Sequence, residues 1–74
     1  MRAIQRFGKQ LQRLRTGRSL TQEQLAVAAS LSCAFLTRLE LGQHDPSLST
    51  LVRLAKALRV SVTVLLGESA SARQ

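Results

Sequence analysis

The chain has 74 residues, enough for one small domain, and 45% of them are hydrophobic, which is typical of a folded protein. A single cysteine and a single histidine exclude an internal disulfide and provide too few ligands for a structural zinc site. Basic residues interrupt the long apolar stretches, and neither a secretory signal nor a run of membrane-spanning length is found. These features predict a soluble cytoplasmic protein that binds neither a metal nor a cofactor.

The net charge of +7 is concentrated at the beginning of the sequence. The first eighteen positions contain no acid and six basic residues, which are Arg2, Arg6, Lys9, Arg13, Arg15 and Arg18. A field of this sign attracts a polyanion. Nucleic acid is the favoured partner, while an anionic membrane surface and plain solubility remain open on charge alone.

Apolar periodicity predicts three helices in the first part of the chain. The first is expected near residues 3–16, ends at Gly17, and has its apolar residues at helical spacing: Ile4, Phe7, Leu11 and Leu14. The second begins at a capping box formed by Thr21 and Gln24, and its inward residues are Leu25, Ala26 and Ala29. The third is capped by Ser32 and stops near Gly42, which can adopt a left-handed conformation.

The rest of the chain predicts a fourth helix and an ambiguous final element. Ser47 caps the fourth helix, whose wide apolar face contains Leu48, Leu51, Val52, Leu54, Ala55 and Leu58. Val60, Val62 and Val64 alternate with polar residues, which favours a strand, whereas Ser61 is also a suitable cap for a short helix. We therefore expect one domain over residues 1–67 and a disordered tail over residues 68–74.

The second and third predicted helices have the spacing of a helix-turn-helix. Counted from Gln22, apolar residues stand at positions 4, 10, 15 and 18, which are Leu25, Leu31, Leu36 and Leu39. Two helices that cross steeply after a short turn nearly touch, so Ala26 and Ala29 meet the need for small residues at the corner. In this arrangement the first helix rests on the phosphates and the second enters the major groove.

At these residues the chain resembles the Cro/repressor family of helix-turn-helix proteins, of the xenobiotic-response-element type. The similarity covers about Phe7 to Gly67 and is carried by GKQLQRLR, LTQEQLA, LTRLELG, PSLSTLVRLAKAL and VLLG in the family's order. It implies an all-α, compact five-helix DNA-binding domain, and hence a short fifth helix rather than a strand. Ser30 stands where the family usually has glycine, and a positive φ there would cost on the order of 1 kcal/mol.

The resemblance and the helix faces together suggest DNA-binding residues. Gln22 matches the family glutamine that contacts phosphate beside a helix N-terminus. Arg38, on the outer face of the third helix, can pair bidentately with the O6 and N7 atoms of guanine. The other candidates are Ser32, Cys33, Ala34 and Thr37 on that face and Gln43 just beyond it. For the residues on that face, capping or plain surface is the alternative role, and a redox role is a further alternative for Cys33.

Two further groups are predicted to be structural. The resemblance implies an ion pair between Arg15 and Glu40 that ties the first helix to the end of the third. A dimer interface is expected where four apolar residues crowd a short segment, namely Val62, Val64, Leu65 and Leu66. No catalytic constellation is found, so an enzyme is not expected.

These observations predict a bacterial or phage transcription regulator, expected to be a repressor, that binds a two-fold operator as a homodimer. Such a protein would work in the cytoplasm, associated with the nucleoid when bound to double-stranded DNA. A DNA-binding antitoxin with a cognate toxin partner and a restriction–modification controller are alternatives with the same fold. A basic protein- or membrane-surface interaction module is the alternative of a different class.

Overall fold

A computed structural model describes residues 2–67, which form five helices and no strand. The helices are α1 (Ala3–Gly17), α2 (Gln22–Ala28), α3 (Cys33–Glu40), α4 (Leu48–Leu58) and α5 (Val62–Leu65). The predicted all-α, five-helix fold is therefore confirmed. The ambiguous segment forms a helix, in which the Ser61 side chain accepts the backbone N–H of Val64 at 3.1 Å. Met1 and the predicted tail, residues 68–74, lie outside the described residues.

The core contains residues from all five helices and is built mainly from leucine. Its fully buried side chains are Leu11, Leu25, Leu36, Leu39, Leu54, Leu58 and Leu65, and Phe7 and three alanines pack with them. The small residues expected at the corner of the helix-turn-helix, Ala26 and Ala29, are buried as predicted. This single cluster places α2 and α3 on the same rigid core as the other helices.

The buried face of α4 is narrower than the sequence pattern predicts. Leu54, Ala55 and Leu58 are buried, but Leu48 is 72% exposed and Val52 is 37% exposed. The last two residues are one helical turn apart on the flank of the helix. The prediction that they face the core is therefore wrong, and they add apolar surface to the outside of the protein.

The predicted N-terminal caps are present at α2, α3 and α4. At α2 the capping box is reciprocal, with the Gln24 backbone N–H donating to Thr21 Oγ1 at 3.0 Å and the Thr21 N–H donating to Gln24 Oε1 at 2.8 Å. Ser32 and Ser47 accept backbone N–H groups at the starts of α3 and α4 in the same way. Each cap contributes about 1 kcal/mol and determines where its helix begins.

Backbone reversals at two of the helix connections use serine rather than glycine. Ser30, in the turn between α2 and α3, has a φ of +59°, so the turn keeps the left-handed conformation without the family's glycine. Gly17 does not end α1 by a positive φ. It is the last helical residue, and the reversal occurs at Ser19, with a φ of +57°. At the end of α3, Gly42 has a φ of +73° and stops the helix as predicted.

Helix α1 lies against the end of α3 at Gly8, a contact that no pattern in the sequence predicts. A Cβ atom placed on Gly8 would be 2.6 Å from the carbonyl oxygens of both Leu39 and Glu40, closer than real Cβ atoms approach. Only glycine fits this position without a shift of the backbone. The C-terminal end of α3 is thereby set directly against α1.

Candidate nucleic-acid interface

Helix α3 has one face in the core and the opposite face in solvent. Leu36, Leu39 and Glu40 are buried, whereas Ala34 and Arg38 are exposed and one turn apart. The turn before α3 is closed by the Leu31 N–H, which donates to the Ala26 carbonyl at 2.8 Å. The exposed face of α3 is therefore presented on a firmly connected pair of helices, as a recognition helix requires.

The structure places the candidate DNA-binding residues in two different environments. Five of them are exposed around α3 and just after it: Ser32, Cys33, Ala34, Arg38 and Gln43. Gln22 and Thr37 are half-buried and bonded within the protein. Ser32 accepts the Phe35 N–H at 3.0 Å, so it has the capping role given above as its alternative, while its hydroxyl proton stays available. Cys33 is an exposed free thiol.

Arg15 and Glu40 form a bidentate ion pair between α1 and α3. Arg15 Nε donates to Glu40 Oε2 at 2.6 Å, and Arg15 Nη2 donates to Glu40 Oε1 at 3.2 Å. The side chains are only 12% and 4% exposed, respectively. A third guanidinium hydrogen bond, from Nη1 to the carbonyl of Leu20 at 2.9 Å, fixes the loop before α2. Because both charges are paired and nearly removed from water, the contact is directional and rigid.

Gln22 connects this ion pair to Thr37 on the preceding turn of α3. Its Nε2 donates to Glu40 Oε1 at 3.0 Å, and its Oε1 accepts the Thr37 hydroxyl at 3.1 Å. The sequence predicts only a phosphate contact for Gln22, because Glu40 and Thr37 lie 18 and 15 residues away along the chain. One N–H of the amide remains for an outside acceptor, since a primary amide carries two donors.

The residues predicted for a dimer interface are not equally accessible. Val64 and Leu66 are 37% and 38% exposed, and Val62 is half-buried. Leu65 is fully buried in the core, so its assignment to the interface is wrong. The single turn of α5 directs this side chain inward beneath its neighbours.

The N-cap of α1 and three basic residues within this helix lie on one side of it. Arg2, Arg6, Lys9 and Arg13 are all exposed, and their spacing of three or four residues aligns them opposite the buried Phe7 and Leu11. Arg6, Lys9 and Arg13 border a shallow hollow of about 330 Å³ that reaches Leu66 and Gly67 in the α5 region. This row adds positive potential outside α3, and a field of this sign attracts a polyanion.

Residues 2–67 contain neither a cluster of metal ligands nor a helix able to span a membrane. No group of three or more histidine, cysteine or acidic side chains in this range could hold a metal ion. None of the helices in the same range combines the length and the apolar character needed to cross a membrane.

Comparison with known families settles the class of this fold. Residues 6–66 match the profile described as the helix-turn-helix domain. The chain belongs to the helix-turn-helix domain family. The resemblance inferred from the sequence is confirmed, and the match includes most of α1 and all of the other four helices.

Three similar proteins illustrate the range of this family. The immunity repressor protein of Bacillus phage phi105 is 43% identical over 61 residues, which are 82% of this chain and 42% of that protein. The HTH-type transcriptional activator BcrR of Enterococcus faecalis is 38% identical over 60 residues, covering 81% and 29% of the two chains. The chain therefore spans less than half the length of these two relatives.

The third is a solved structure, the restriction-modification controller protein C.AhdI from Aeromonas hydrophila. It superposes with a TM-score of 0.82 at 35% identity, and the alignment covers 84% of this chain and 94% of that chain. The five-helix fold thus closely matches that of a controller protein of similar size.

Proposed function

We propose that this protein is a sequence-specific DNA-binding transcription regulator that reads the major groove with the exposed face of α3. The observation that carries the proposal is the arrangement of α3, with Arg38 exposed on one side and the other side fixed by the core and by the Arg15–Glu40 pair. A guanidinium on that face can donate to guanine O6 and N7, the commonest specific contact in the major groove.

Phosphate contacts would place the recognition helix in its groove. The remaining N–H of Gln22 is at the N-terminus of α2, where free backbone N–H groups and the helix dipole also favour an anion. Gln43 is exposed just beyond α3 and can contact the phosphate on the other side of the groove. We assign these two residues to positioning and Arg38 to reading. Ser32, Cys33 and Ala34 complete the contacting surface near the start of α3.

The regulator is proposed to act as a homodimer on a two-fold operator. Val64 and Leu66 on the α5 side and Leu48 and Val52 on α4 leave apolar side chains exposed on a very small domain. A second copy of the chain is the simplest partner that buries such a surface. Two-fold symmetry would then set the recognition helices about 34 Å apart, one turn of DNA.

Repression is the favoured regulatory outcome, because the phage phi105 relative is an immunity repressor. Activation and control of a restriction–modification operon remain the alternatives, each represented by a similar protein. The relatives described above give no support to a toxin partner. As a regulator of this kind, the protein would act in the cytoplasm on the nucleoid, and no enzymatic role is proposed.

Selection of bound sequences from random duplex DNA tests the proposal directly. We expect a two-fold consensus, and Arg38→Ala should then cost about 1–3 kcal/mol on that site and relax the preference at one guanine in each half-site. Arg6→Ala is the matched control. It removes another exposed guanidinium, from the outer face of α1, and it should weaken specific and random duplexes by similar factors.

Two outcomes would contradict this assignment. Equal loss of affinity on every sequence with Arg38→Ala would make Arg38 a backbone contact. Selection that yields no preferred sequence with the wild-type chain would refute sequence-specific regulation itself.

The dimer is tested by light scattering at tens of micromolar. We expect a dimer for the wild type and a shift toward monomer for Leu66→Lys, which places a charge in the apolar surface. Val27→Lys is the control, since Val27 is 79% exposed on α2, outside that surface, and should leave the dimer unchanged. A monomeric wild type that also forms no dimer on DNA would refute the proposed assembly.

A further inference from the structure

The hydroxyl group of Thr37 lies between two acceptors of the protein itself. Its Oγ1 is 3.1 Å from Gln22 Oε1 and 2.9 Å from the carbonyl oxygen of Cys33. Neither of these oxygens can donate a proton in return. The single hydroxyl proton of Thr37 is therefore used inside the protein, whichever of the two oxygens receives it.

The buried carboxylate of Glu40 determines which end of the Gln22 amide meets Thr37. Gln22 contacts Glu40 Oε1 at 3.0 Å. A carboxylate only accepts hydrogen bonds, so the NH₂ group of Gln22 must face it, and the amide oxygen must face Thr37. The reversed amide would set two oxygens against each other next to a buried negative charge, which is unfavourable. The two hydrogen bonds from Arg15 hold the Glu40 carboxylate in place.

As a consequence, the Thr37 hydroxyl can accept a hydrogen bond from a base in the groove but cannot donate one. A threonine hydroxyl generally donates or accepts, and it can therefore contact several bases. With its proton committed inside, Thr37 offers lone pairs and a methyl group. It lies one residue before Arg38, whose guanidinium can only donate.

We propose that the Glu40–Gln22–Thr37 network makes Thr37 an acceptor-only reader of DNA, which selects an amino group on the base that it faces. Adenine N6 and cytosine N4 are the amino groups displayed in the major groove, whereas guanine and thymine display carbonyl oxygens at that edge. Thr37 thus favours A or C over G or T at one position of each half-site. This inference rests on the proposed function and adds Gln22 as the residue that positions Thr37.

The adjacent residues Thr37 and Arg38 then recognise base groups of opposite hydrogen-bonding type. Arg38 recognises acceptor groups and Thr37 recognises donor groups, so together they discriminate more sequences than two donors would. The same network gives Gln22 a second role besides a phosphate contact. Its removal should change base preference as well as overall affinity.

The test uses the full chain and the operator found by selection, with each half-site position changed to all four bases and affinities measured by competition. The wild type should prefer A or C over G or T by about tenfold at one position, the size expected for one hydrogen bond whose loss leaves a polar group unpaired. Thr37→Val keeps the shape and removes the acceptor, so this preference should fall to about twofold or less, while the guanine preference due to Arg38 remains.

Three further variants separate this role from a general structural one. Thr37→Ser retains the hydroxyl and should retain the preference. Gln22→Ala leaves the hydroxyl proton of Thr37 with one internal acceptor, the Cys33 carbonyl, so the proton turns outward more often and the base preference should weaken. Adding Gln22→Ala to Thr37→Val should weaken the preference no further. Gln43→Ala, a proposed phosphate contact outside the network, should lower all affinities alike and keep the preference.

The outcomes distinguish this inference from the proposed function. If Thr37→Val leaves every base preference of a specific operator unchanged, or if the preference that it removes is for G or T, the inference is overturned and the regulator function stands. A wild type without any preferred sequence overturns both. If melting shows that Thr37→Val is unfolded, Thr37→Ser and Gln22→Ala decide, and loss of the preference in Thr37→Ser would overturn the inference.

Discussion

Helix α1 is attached to α3 and to α5 by contacts of different kinds. Against α3, it contributes the Arg15 guanidinium to Glu40 and a glycine, Gly8, at which a Cβ would clash with two backbone carbonyls. Against α5, it shares the apolar core around the fully buried Leu65 and makes one exposed hydrogen bond, from Gln10 Nε2 to the Val64 carbonyl at 3.1 Å. The first contact is directional and closely fitted, and the second depends mainly on burial.

The difference between the two contacts matches the roles proposed for α3 and α5. A base-reading helix must hold its rotation closely, because hydrogen bonds to base edges are sensitive to small displacements. Directional contacts provide that constraint, since an ion pair and a glycine contact both fail when the helix rotates. Apolar burial is non-directional and tolerates small adjustments, which suits a helix proposed to pack against a second copy of the chain.

The largest effect is expected when the ion pair of the α1–α3 contact is broken. Glu40→Ala leaves the Arg15 guanidinium and the Gln22 amide without their buried partner, and one-sided removal of a buried pair costs about 3–5 kcal/mol. Thermal or chemical denaturation measures the loss. Glu23→Ala, which removes an exposed acid from the first turn of α2, should cost far less. Equal stability of the two variants would show that the α1–α3 contact does not depend on the pair.

A smaller loss is expected from a methyl group at Gly8. Gly8→Ala forces a Cβ against the carbonyls of Leu39 and Glu40, and overpacking of this kind costs about 1–3 kcal/mol. Gly17→Ala is a matched control in the same helix, where nothing lies within 4 Å of the new Cβ. Alanine is the better helix former, so Gly17→Ala should stabilise the protein by roughly 0.5–1 kcal/mol. Melting shifts of the same sign for both variants would contradict the close fit at Gly8.

The smallest effect concerns the polar contact between α1 and α5. Gln10→Ala removes an exposed hydrogen bond to Val64, which should cost about 0.5–1 kcal/mol or less and leave DNA selectivity unchanged. Denaturation and the competition assay measure the two quantities. A loss as large as that of Glu40→Ala would remove the distinction between the two contacts of α1.

Local signals in the sequence were sufficient for most of the fold. The caps at Thr21, Ser32 and Ser47 and the spacing of the leucines depend on neighbouring residues, so the start of each of these helices could be predicted. The pairing of Arg15 with Glu40 came from the family resemblance, because no local rule connects residues 25 positions apart.

Features that depend on tertiary packing were missed. The sequence shows a glycine at position 8 inside an amphipathic pattern, but it does not show that this position contacts α3. Among the apolar residues near the end of the described chain, the pattern could not show that Leu65 turns inward while Leu66 does not. The bonds of Gln22 to Glu40 and Thr37 were not predicted, because they join residues on two different helices.

The Gly8 contact also bears on how such regulators diverge. Helix α1 meets main-chain carbonyls of Leu39 and Glu40, atoms that every amino acid supplies. Substitutions at Ala34 or Arg38 therefore leave this anchoring point intact. After duplication of the gene, one copy can acquire a preference for a new DNA site by exchanging a few outward side chains of α3, while the contact between α1 and α3 is inherited unchanged.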